Sequence, residues 1–328
     1  MRVEYLIGSE ANRGSQQMVG AGALAVAVSD WDGVHLGHVA LARRTAEVAA
    51  KAGARAVALL PWPSPDAEGE KSVARLTTLE ERIALLDALG CFEVLLVATA
   101  PAETLTVEAA LAWWRGLGDV RALLGARSPA DSVARLWPAG LAEAARSVGM
   151  SVEDAHVESV EDDLSGQIRA LVEAGRMREA TAALGYTYTV TGVVIGGDRR
   201  GRLLGFPTAN LRLEPAKLTP GNGIYAAWVW LPGATSPWPA AVSIGVRPTF
   251  EQDGRRLIEA HLLDATIDLY GVELQVQFVE WLRAEERFDG VEALIEQMNK
   301  DRERAREILR AEAPARRLAS QSWPAHSA

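Results

Sequence analysis

Residues 201–210, Gly-Arg-Leu-Leu-Gly-Phe-Pro-Thr-Ala-Asn, are the most informative stretch of this 328-residue chain. Glycines let a backbone turn tightly and approach phosphates closely, and arginine supplies charge and forked hydrogen-bond donors. Thr208 and Asn210 are two residues apart in an extended segment, so we expect their side chains to point to the same side. Hydroxyl and amide oxygens are hard donors that Mg²⁺ accepts. The stretch therefore predicts a site for a magnesium-bound phosphate group.

The chain around and after this stretch consists of short β-rich runs separated by turn residues. The runs cover residues 188–195, 224–231, 240–246, 257–263 and 274–279. Their spacing predicts a compact antiparallel β-barrel, which an amphipathic helix over 291–309 closes. Residues 313–328 mix Pro, Ser, Ala and Arg, and we predict a disordered tail there.

The first half of the chain alternates apolar runs with helical segments. The predicted strands are 24–29, 56–60, 92–98 and 120–124, and the predicted helices are 39–51, 79–89 and 107–114. This alternation predicts an α/β domain with a parallel sheet covered on both faces. Because the pattern changes near Tyr186, we predict domains at residues 1–185 and 186–312.

Composition narrows the class of protein. There are 34 basic and 43 acidic residues, a formal net charge of −9, which argues against nucleic acid or an anionic membrane as the main partner. The single cysteine, Cys91, excludes an intrachain disulfide. No apolar stretch approaches the roughly 18 residues of a membrane span, and we see no signal peptide. We expect a cytoplasmic protein that acts on small molecules, and its oligomeric state stays open.

The second half of the chain resembles the riboflavin kinase family. Six pieces carry the resemblance in consistent order, the first being residues 192–194 together with the stretch 201–210. The others are residues 223–226, 244–250, 258–264, 268–271 and 282–288. The resemblance implies a kinase that transfers the γ-phosphate of ATP to the 5′-hydroxyl of riboflavin and so makes FMN.

The resemblance also implies roles for particular residues. Glu259 matches the general base, although in isolation it could be an ordinary solvent-facing strand residue. Thr208 and Asn210 match the Mg²⁺ ligands, and Arg283 and Phe288 match a region that closes over the flavin. The residues expected to bind ATP are Gly196, Gly201, Gly205, Pro207 and Thr208. His261 shares a strand face with Glu259, and we assign it a structural role.

A second motif, Asp-Gly-Val-His-Leu-Gly-His at residues 32–38, follows a predicted buried strand and opens a helix. Backbone donors and the positive end of a helix favour phosphate at such a place. Gly37 permits close approach, and His35 and His38 can donate hydrogen bonds to a triphosphate. The motif resembles that of bacterial FAD synthetases, which have a Rossmann-like nucleotidyltransferase domain fused to a riboflavin kinase.

Several residues depart from that family's pattern. Ser29-Asp30-Trp31 stands where the family usually has Gly-Asn-Phe, and we expect the added carboxylate to disfavour a triphosphate. Residues 127–129 lack the acidic and aromatic groups of an FMN-binding segment. Residues 164–169 keep Arg169 and one serine of an ATP-binding motif, Ser165, but lack its second serine and its threonine. We therefore expect an adenylyltransferase site at His35, Gly37, His38 and Arg169 that is weak or inactive.

Two other interpretations stay open. One is a fully bifunctional enzyme that also converts FMN to FAD. The other is a non-catalytic regulator that binds a flavin or a nucleotide. The complete Pro-Thr-Ala-Asn segment and Glu259 favour the kinase.

Overall fold

The computed structural model describes residues 1–6, 22–62, 74–99, 103–125, 133, 136–154, 163–197, 201, 204–246, 256–265 and 267–314. The described residues form two compact units. The first holds residues up to 62 and 79–165, and the second holds residues 74–78 and 166–314. The predicted disordered tail lies outside the described residues, except for residues 313 and 314.

The first unit is built on a parallel six-stranded sheet with strand order β1-β4-β3-β2-β5-β6. The strands are β1 (Arg2–Leu6), β2 (Ala23–Val28), β3 (Arg55–Trp62), β4 (Val94–Thr99), β5 (Asp119–Gly125) and β6 (Ser151–Asp154). The helices are α1 (Leu36–Ala52), α2 (Leu79–Leu89), α3 (Val107–Gly116), α4 (Leu141–Ser147) and the start of α5 (Leu164–Glu173). The predicted α/β class is confirmed.

Strand β2 shows why the sheet is covered on both faces. All six of its residues are buried. Leu24 and Val26 pack into one hydrophobic cluster with Trp114 of α3, while Ala25 packs into a second cluster with Leu41 of α1. Alternate residues of a strand point to opposite faces, so a strand that is apolar at every position fits between two layers of helices.

The second unit is a closed barrel with strand order β10-β11-β8-β7-β12-β9. The strands are β7 (Thr189–Ile195), β8 (Ala209–Leu213), β9 (Gly223–Trp230), β10 (Trp238–Val246), β11 (Arg256–Leu262) and β12 (Glu273–Arg283). All of the ladders between them are antiparallel. Tyr225 and Phe278 are fully buried and pack edge to face with ring centres 5.3 Å apart. The predicted antiparallel barrel is confirmed.

Helix α7 (Val291–Ala311) covers part of the outside of this barrel. Its residues Ala305, Ile308 and Leu309 form a buried cluster with Ala226 of β9 and Val279 of β12. The predicted closing helix is therefore confirmed, and it ends two residues later than expected. Within the described ranges, no helix combines the length and the apolar character needed to span a membrane.

The end of α5 and helix α6 (Met177–Leu184) belong to the second unit. Helix α6 packs on β12, and the amide of Gly221 donates to the carbonyl oxygen of Val172 at 3.2 Å. A side chain at Gly175 would press on Trp281, at 3.1 Å from its ring. The second unit therefore begins about twenty residues before Tyr186, where the residue pattern changes. The pattern did not mark this boundary, because α5 and α6 have the periodicity of helices whereas the barrel has the periodicity of strands.

We predict that a fragment of residues 163–314 is more stable than a fragment of residues 186–314. The longer fragment keeps the buried side chains of Met177 and Leu184, each worth about 1.5–3 kcal/mol when fully buried. Because each kcal/mol moves the thermal midpoint by roughly 2–4 °C at this size, the longer fragment should melt at least about 5 °C higher by circular dichroism. Equal midpoints would show that the second unit does not need α5 and α6.

Candidate functional site

The candidate kinase site lies where β8 pairs with β11. Asn210 of β8 stands directly opposite Glu259 of β11, and directly opposed residues of an antiparallel pair project to the same face. Thr208 precedes β8, and its hydroxyl donates to Oε2 of Glu259 at 3.4 Å. The structure therefore brings together the predicted base and both predicted metal ligands, which are about 50 residues apart in the chain.

The side chain of Asn210 is held with its oxygen available. Asn210 is only 7% exposed, and its Oδ1 has no hydrogen-bond partner among the described residues. The backbone of Gly197 passes so close to the Asn210 amide that any side chain at position 197 would collide with it. A buried polar atom without a partner is costly, so Oδ1 suits a ligand that supplies the missing contact.

The glycine-rich loop is described only in part, since residues 198–200, 202 and 203 lie outside the described ranges. Gly196 follows β7, and the carbonyl oxygen of Gly201 accepts from the amides of Leu204 and Phe206 at 3.1 and 2.8 Å. Gly205 has φ +86°, a left-handed conformation that favours glycine. The ATP-binding role of these glycines stays a prediction.

His261 fixes the backbone that carries Thr208. Its Nδ1 lies 2.9 Å from the carbonyl oxygen of Pro207, and because a carbonyl only accepts, Nδ1 carries the proton. The ring packs on Phe206 with centres 5.4 Å apart, and the guanidinium of Arg302 lies 5.8 Å from the centre of the Phe206 ring. Burial lowers the pKa of His261, and the nearby charge of Arg302 lowers it further. The hydrogen bond to Pro207 and the charge of Asp264 raise this pKa, but the net shift is downward.

The two predicted flavin-binding residues also meet. The guanidinium of Arg283 lies 5.8 Å from the centre of the Phe288 ring and makes two hydrogen bonds to Asp301 of α7, at 2.8 and 2.7 Å. These bonds are the main cause of the raised pKa of Arg283. Sequence reasoning missed Asp301, because it lies on a helix outside the family motifs, yet it anchors the segment after β12.

Glu285 is a second carboxylate close to this site. Burial raises the pKa of Glu285. The positive charge of Arg283 lowers this pKa, and the negative charge of Glu259 raises it. Any side chain at Gly245 of β10 would collide with the Glu285 carboxylate. The segment after β12 therefore folds towards the barrel face that carries Glu259, although the family motif indicated no role for Glu285.

The candidate nucleotidyltransferase site lies between β2 and α1. His35 caps α1, because its Nδ1 accepts from the amide of His38 at 3.4 Å. Its Nε2 lies 3.1 Å from Oγ of Ser165, which in turn donates to the carbonyl oxygen of Asp32 at 3.2 Å. The serine retained from the family motif is therefore in contact with the first histidine. Gly37 lies in the first turn of α1.

The second histidine, His38, stacks on His35 with ring centres 3.8 Å apart. Its Nε2 lies 3.0 Å from Oγ of Ser29 and 3.6 Å from Oδ1 of Asp30. Both histidines are buried. Buried Arg82 completes the turn by donating to the carbonyl oxygen of Asp30 at 2.6 Å and to Asp32 at 2.8 Å. The contacts of Arg82 could not be predicted from the spacing of residues in the sequence.

The Asp30 carboxylate has several neighbours that stabilise its charge. Burial alone raises its pKa, but the hydrogen bond and charge of His38, the charge of Arg82 and the amide of Asp32 together hold that pKa well below the ordinary value. The carboxylate is thus balanced inside the turn.

Arg169 lies one helical turn after Ser165 on α5, and its role stays a prediction. Residues 127–129 lie outside the described residues.

Both halves of the chain match families of known proteins. A family model described as riboflavin kinase matches residues 184–309, and one described as FAD synthetase matches residues 20–106. A bifunctional riboflavin kinase/FMN adenylyltransferase of Listeria monocytogenes is 31% identical over 289 residues, 86% of this chain and 91% of the relative. The protein of the same name from Escherichia coli K12 is 31% identical over 302 residues, 88% of this chain and 93% of the relative.

A solved structure agrees in fold alone. A Streptococcus pneumoniae protein described as a macrolide-efflux protein superposes with a TM-score of 0.76 at 23% identity, over 93% of this chain and 99% of that one. Because the relatives are named for two activities and the FAD synthetase match spans the histidine motif, these similarities do not support our expectation of a weak or lost adenylyltransferase.

We predict that His261 titrates below the ordinary histidine value of 6.5 in the folded protein. The unfolded chain then binds this proton more readily, so His261 lowers stability as pH falls below about 6.5 and costs nothing above it. A proton NMR titration of the imidazole signals measures this value, and His261→Asn, which keeps a donor for Pro207, identifies the resonance by its loss. A midpoint at or above 6.5 would contradict the role of burial.

Proposed function

The chain belongs to the bifunctional riboflavin kinase/FMN adenylyltransferase family, and we propose that its barrel performs the kinase reaction with Glu259 as general base. It is a riboflavin kinase: the 5′-hydroxyl of riboflavin attacks the γ-phosphorus of ATP, the bond from that phosphorus to the bridging oxygen breaks, and ADP leaves. The observation that carries the base assignment is the position of Glu259 beside Thr208 and opposite Asn210.

Glu259 takes the proton of the 5′-hydroxyl as the new bond forms. A general base must come within hydrogen-bond reach of that proton, and the Thr208 hydroxyl, at 3.4 Å, orients one oxygen of the carboxylate. Glu285 lies close enough to Glu259 for the two carboxylates to interact electrostatically. The glycine-rich loop would approach the ATP phosphates through its backbone amides.

Thr208 and Asn210 fit a magnesium ion. Their oxygens are the right donor type, and Oδ1 of Asn210 lacks a partner among the described residues. Within the same ranges no group of three or more His, Cys, Asp or Glu side chains forms a metal cage, which agrees with an ion held partly by substrate phosphates. The ion, when bound, would neutralise phosphate charge. Thr208 and Asn210 would bind it and so orient the γ-phosphate towards the carboxylate of Glu259.

Arg283 and Phe288 would position the flavin. Their side chains, with Arg283 anchored to Asp301, make a cationic and aromatic edge, which suits a planar ring system.

A second function, transfer of the adenylyl group of ATP to FMN, is proposed for the first unit. The ordered contacts from His35 to Ser165 and from His38 to Ser29 favour it. An oxygen of the FMN phosphate would attack the α-phosphorus of ATP and pyrophosphate would leave. The two imidazoles lie at the N-terminus of α1, where negative charge is stabilised, so they would hold the triphosphate.

We predict that Glu259→Gln lowers the turnover of riboflavin at least about 100-fold, the usual contribution of a general base, while riboflavin binding is retained. Flavin chromatography gives the turnover and quenching of riboflavin fluorescence gives the binding. The matched control is Glu273→Gln, which removes an exposed carboxylate on β12. Turnover close to that of the control would remove Glu259 from the mechanism.

We predict that Asn210→Ala raises the Mg²⁺ concentration needed for half-maximal kinase activity, because it deletes an oxygen ligand. Asn210→Asp keeps an oxygen and should be less affected. Asn299→Ala on α7, whose side-chain amide donates to the carbonyl oxygen of Ile295, serves as control. An unchanged magnesium requirement in Asn210→Ala would argue against this ligand.

We predict that the full chain converts FMN and ATP to FAD, and that His38→Ala lowers this conversion at least about 100-fold through lost alignment and charge stabilisation. Formation of FMN from riboflavin should not change, which controls for folding. If the intact chain makes FMN but no FAD, the adenylyltransferase proposal is wrong and the original expectation of an inactive first site returns.

A further inference from the structure

The contacts of His38 are strongly asymmetric. On one side of the ring, Nε2 lies 3.0 Å from the hydroxyl of Ser29 and 3.6 Å from the carboxylate of Asp30. On the other side, Nδ1 is buried and has no hydrogen-bond partner among the described residues. His38 as a whole is only 5% exposed. Side chains of the protein therefore hold Nε2 of His38, whereas Nδ1 can still accept a hydrogen bond from a ligand or donate one to it.

The hydroxyl of Ser29 has a complete set of partners. It accepts from the amide of Trp31 at 3.4 Å and lies 3.5 Å from Oδ1 of Asp30, to which it donates. The carboxylate of Asp30, which only accepts, lies 3.6 Å from Nε2 of His38, so a proton on Nε2 suits both contacts of that nitrogen. The chain of donors thus runs from His38 through Ser29 to the Asp30 carboxylate, which also accepts from the amide of Asp32 at 3.2 Å.

Nε2 of His38 faces the carboxylate of Asp30. Asp32 is paired with Arg82 at 2.8 Å, so these two charges offset each other. His35 uses Nδ1 as acceptor from the His38 amide and is therefore neutral. Two stacked imidazolium rings 3.8 Å apart would also repel. The Asp30 carboxylate beside Nε2 would offset the charge of a doubly protonated His38 ring.

We propose that Ser29 and Asp30 are positioning residues that hold His38 by Nε2 and present Nδ1 to a phosphate oxygen of the nucleotide substrate. The proposal rests on the adenylyltransferase function proposed above. Helix α1 supports the choice of an anion, because it is 17 residues long and has no acidic residue in its first turn. A phosphate oxygen would accept from Nδ1–H of the imidazolium and supply the partner that the buried nitrogen lacks.

The direct test is the proton position on His38, measured by ¹⁵N NMR of histidine-labelled full-length protein. The two ring nitrogens have different shifts when protonated and unprotonated, and His38→Gln assigns the signals. We expect the neutral ring of His38 to carry its proton on Nε2. Ser29→Ala combined with Asp30→Asn should give a mixture of tautomers, while Ser147→Ala, which removes an exposed hydroxyl, should change nothing. A mixed or Nδ1-protonated ring in the native protein would overturn the proposal.

Two further readouts separate positioning from simple stability. A non-hydrolysable ATP analogue with Mg²⁺ should move the Nδ1 signal of His38 in the native protein and move it less in the double variant. For FAD formation, kcat of the double variant should fall at least about 10-fold by misalignment with little change in KM for ATP. The single variant Ser29→Thr, which keeps the hydroxyl and leaves Asp30 in place, should retain most of the native kcat. FMN formation should be unchanged.

The outcomes distinguish the two proposals. If the native chain makes no FAD but the analogue still moves the Nδ1 signal, adenylyl transfer fails while the placement of His38 stands. If FAD forms but the double variant keeps the native kcat, or if the analogue leaves the Nδ1 signal in place, Ser29 and Asp30 are structural only and the positioning proposal is wrong.

Discussion

The pairing of β8 with β11 is the constraint on which the kinase site depends. It sets Asn210 opposite Glu259 and leaves Thr208 within hydrogen-bond reach of the carboxylate. A shift of one residue would turn each side chain of β8 to the other face of the sheet, so Ala209 would replace Asn210 beside Glu259. Closure of the barrel resists this shift, because β8 also pairs with β7 and β11 also pairs with β10.

The remaining parts of the kinase site are attached to this pair from two directions. From the loop side, His261 holds Pro207 and the backbone of Gly197 confines the Asn210 amide. From the helix side, Asp301 of α7 holds Arg283 and so fixes the segment that carries Glu285 and Phe288. The first unit uses a different device: the turn after β2 gathers its two histidines at the N-terminus of α1, where a parallel α/β sheet places its ligands.

The sequence predicted the two architectures and the residues that meet at β8 and β11, because apolar periodicity and the Pro-Thr-Ala-Asn stretch are local signals. It did not predict β8 itself, whose five residues have no clear alternation, or the polar edge strands β1 and β6. The sequence also did not predict the contacts between segments that are far apart in the chain. The bond from Asp301 to Arg283 and the compensation of Asp30 by His38 and Arg82 depend on packing.

The account is tested most directly by a crystal structure of the chain with Mg²⁺, riboflavin and a non-hydrolysable ATP analogue. It predicts that a carboxylate oxygen of Glu259 lies within about 3.2 Å of the 5′-hydroxyl oxygen of riboflavin. It also predicts Oδ1 of Asn210 and Oγ1 of Thr208 at about 2.1 Å from the metal ion. A 5′-hydroxyl held by another carboxylate, or a metal ion bound away from β8, would contradict the claim that the pairing of β8 with β11 builds the kinase site.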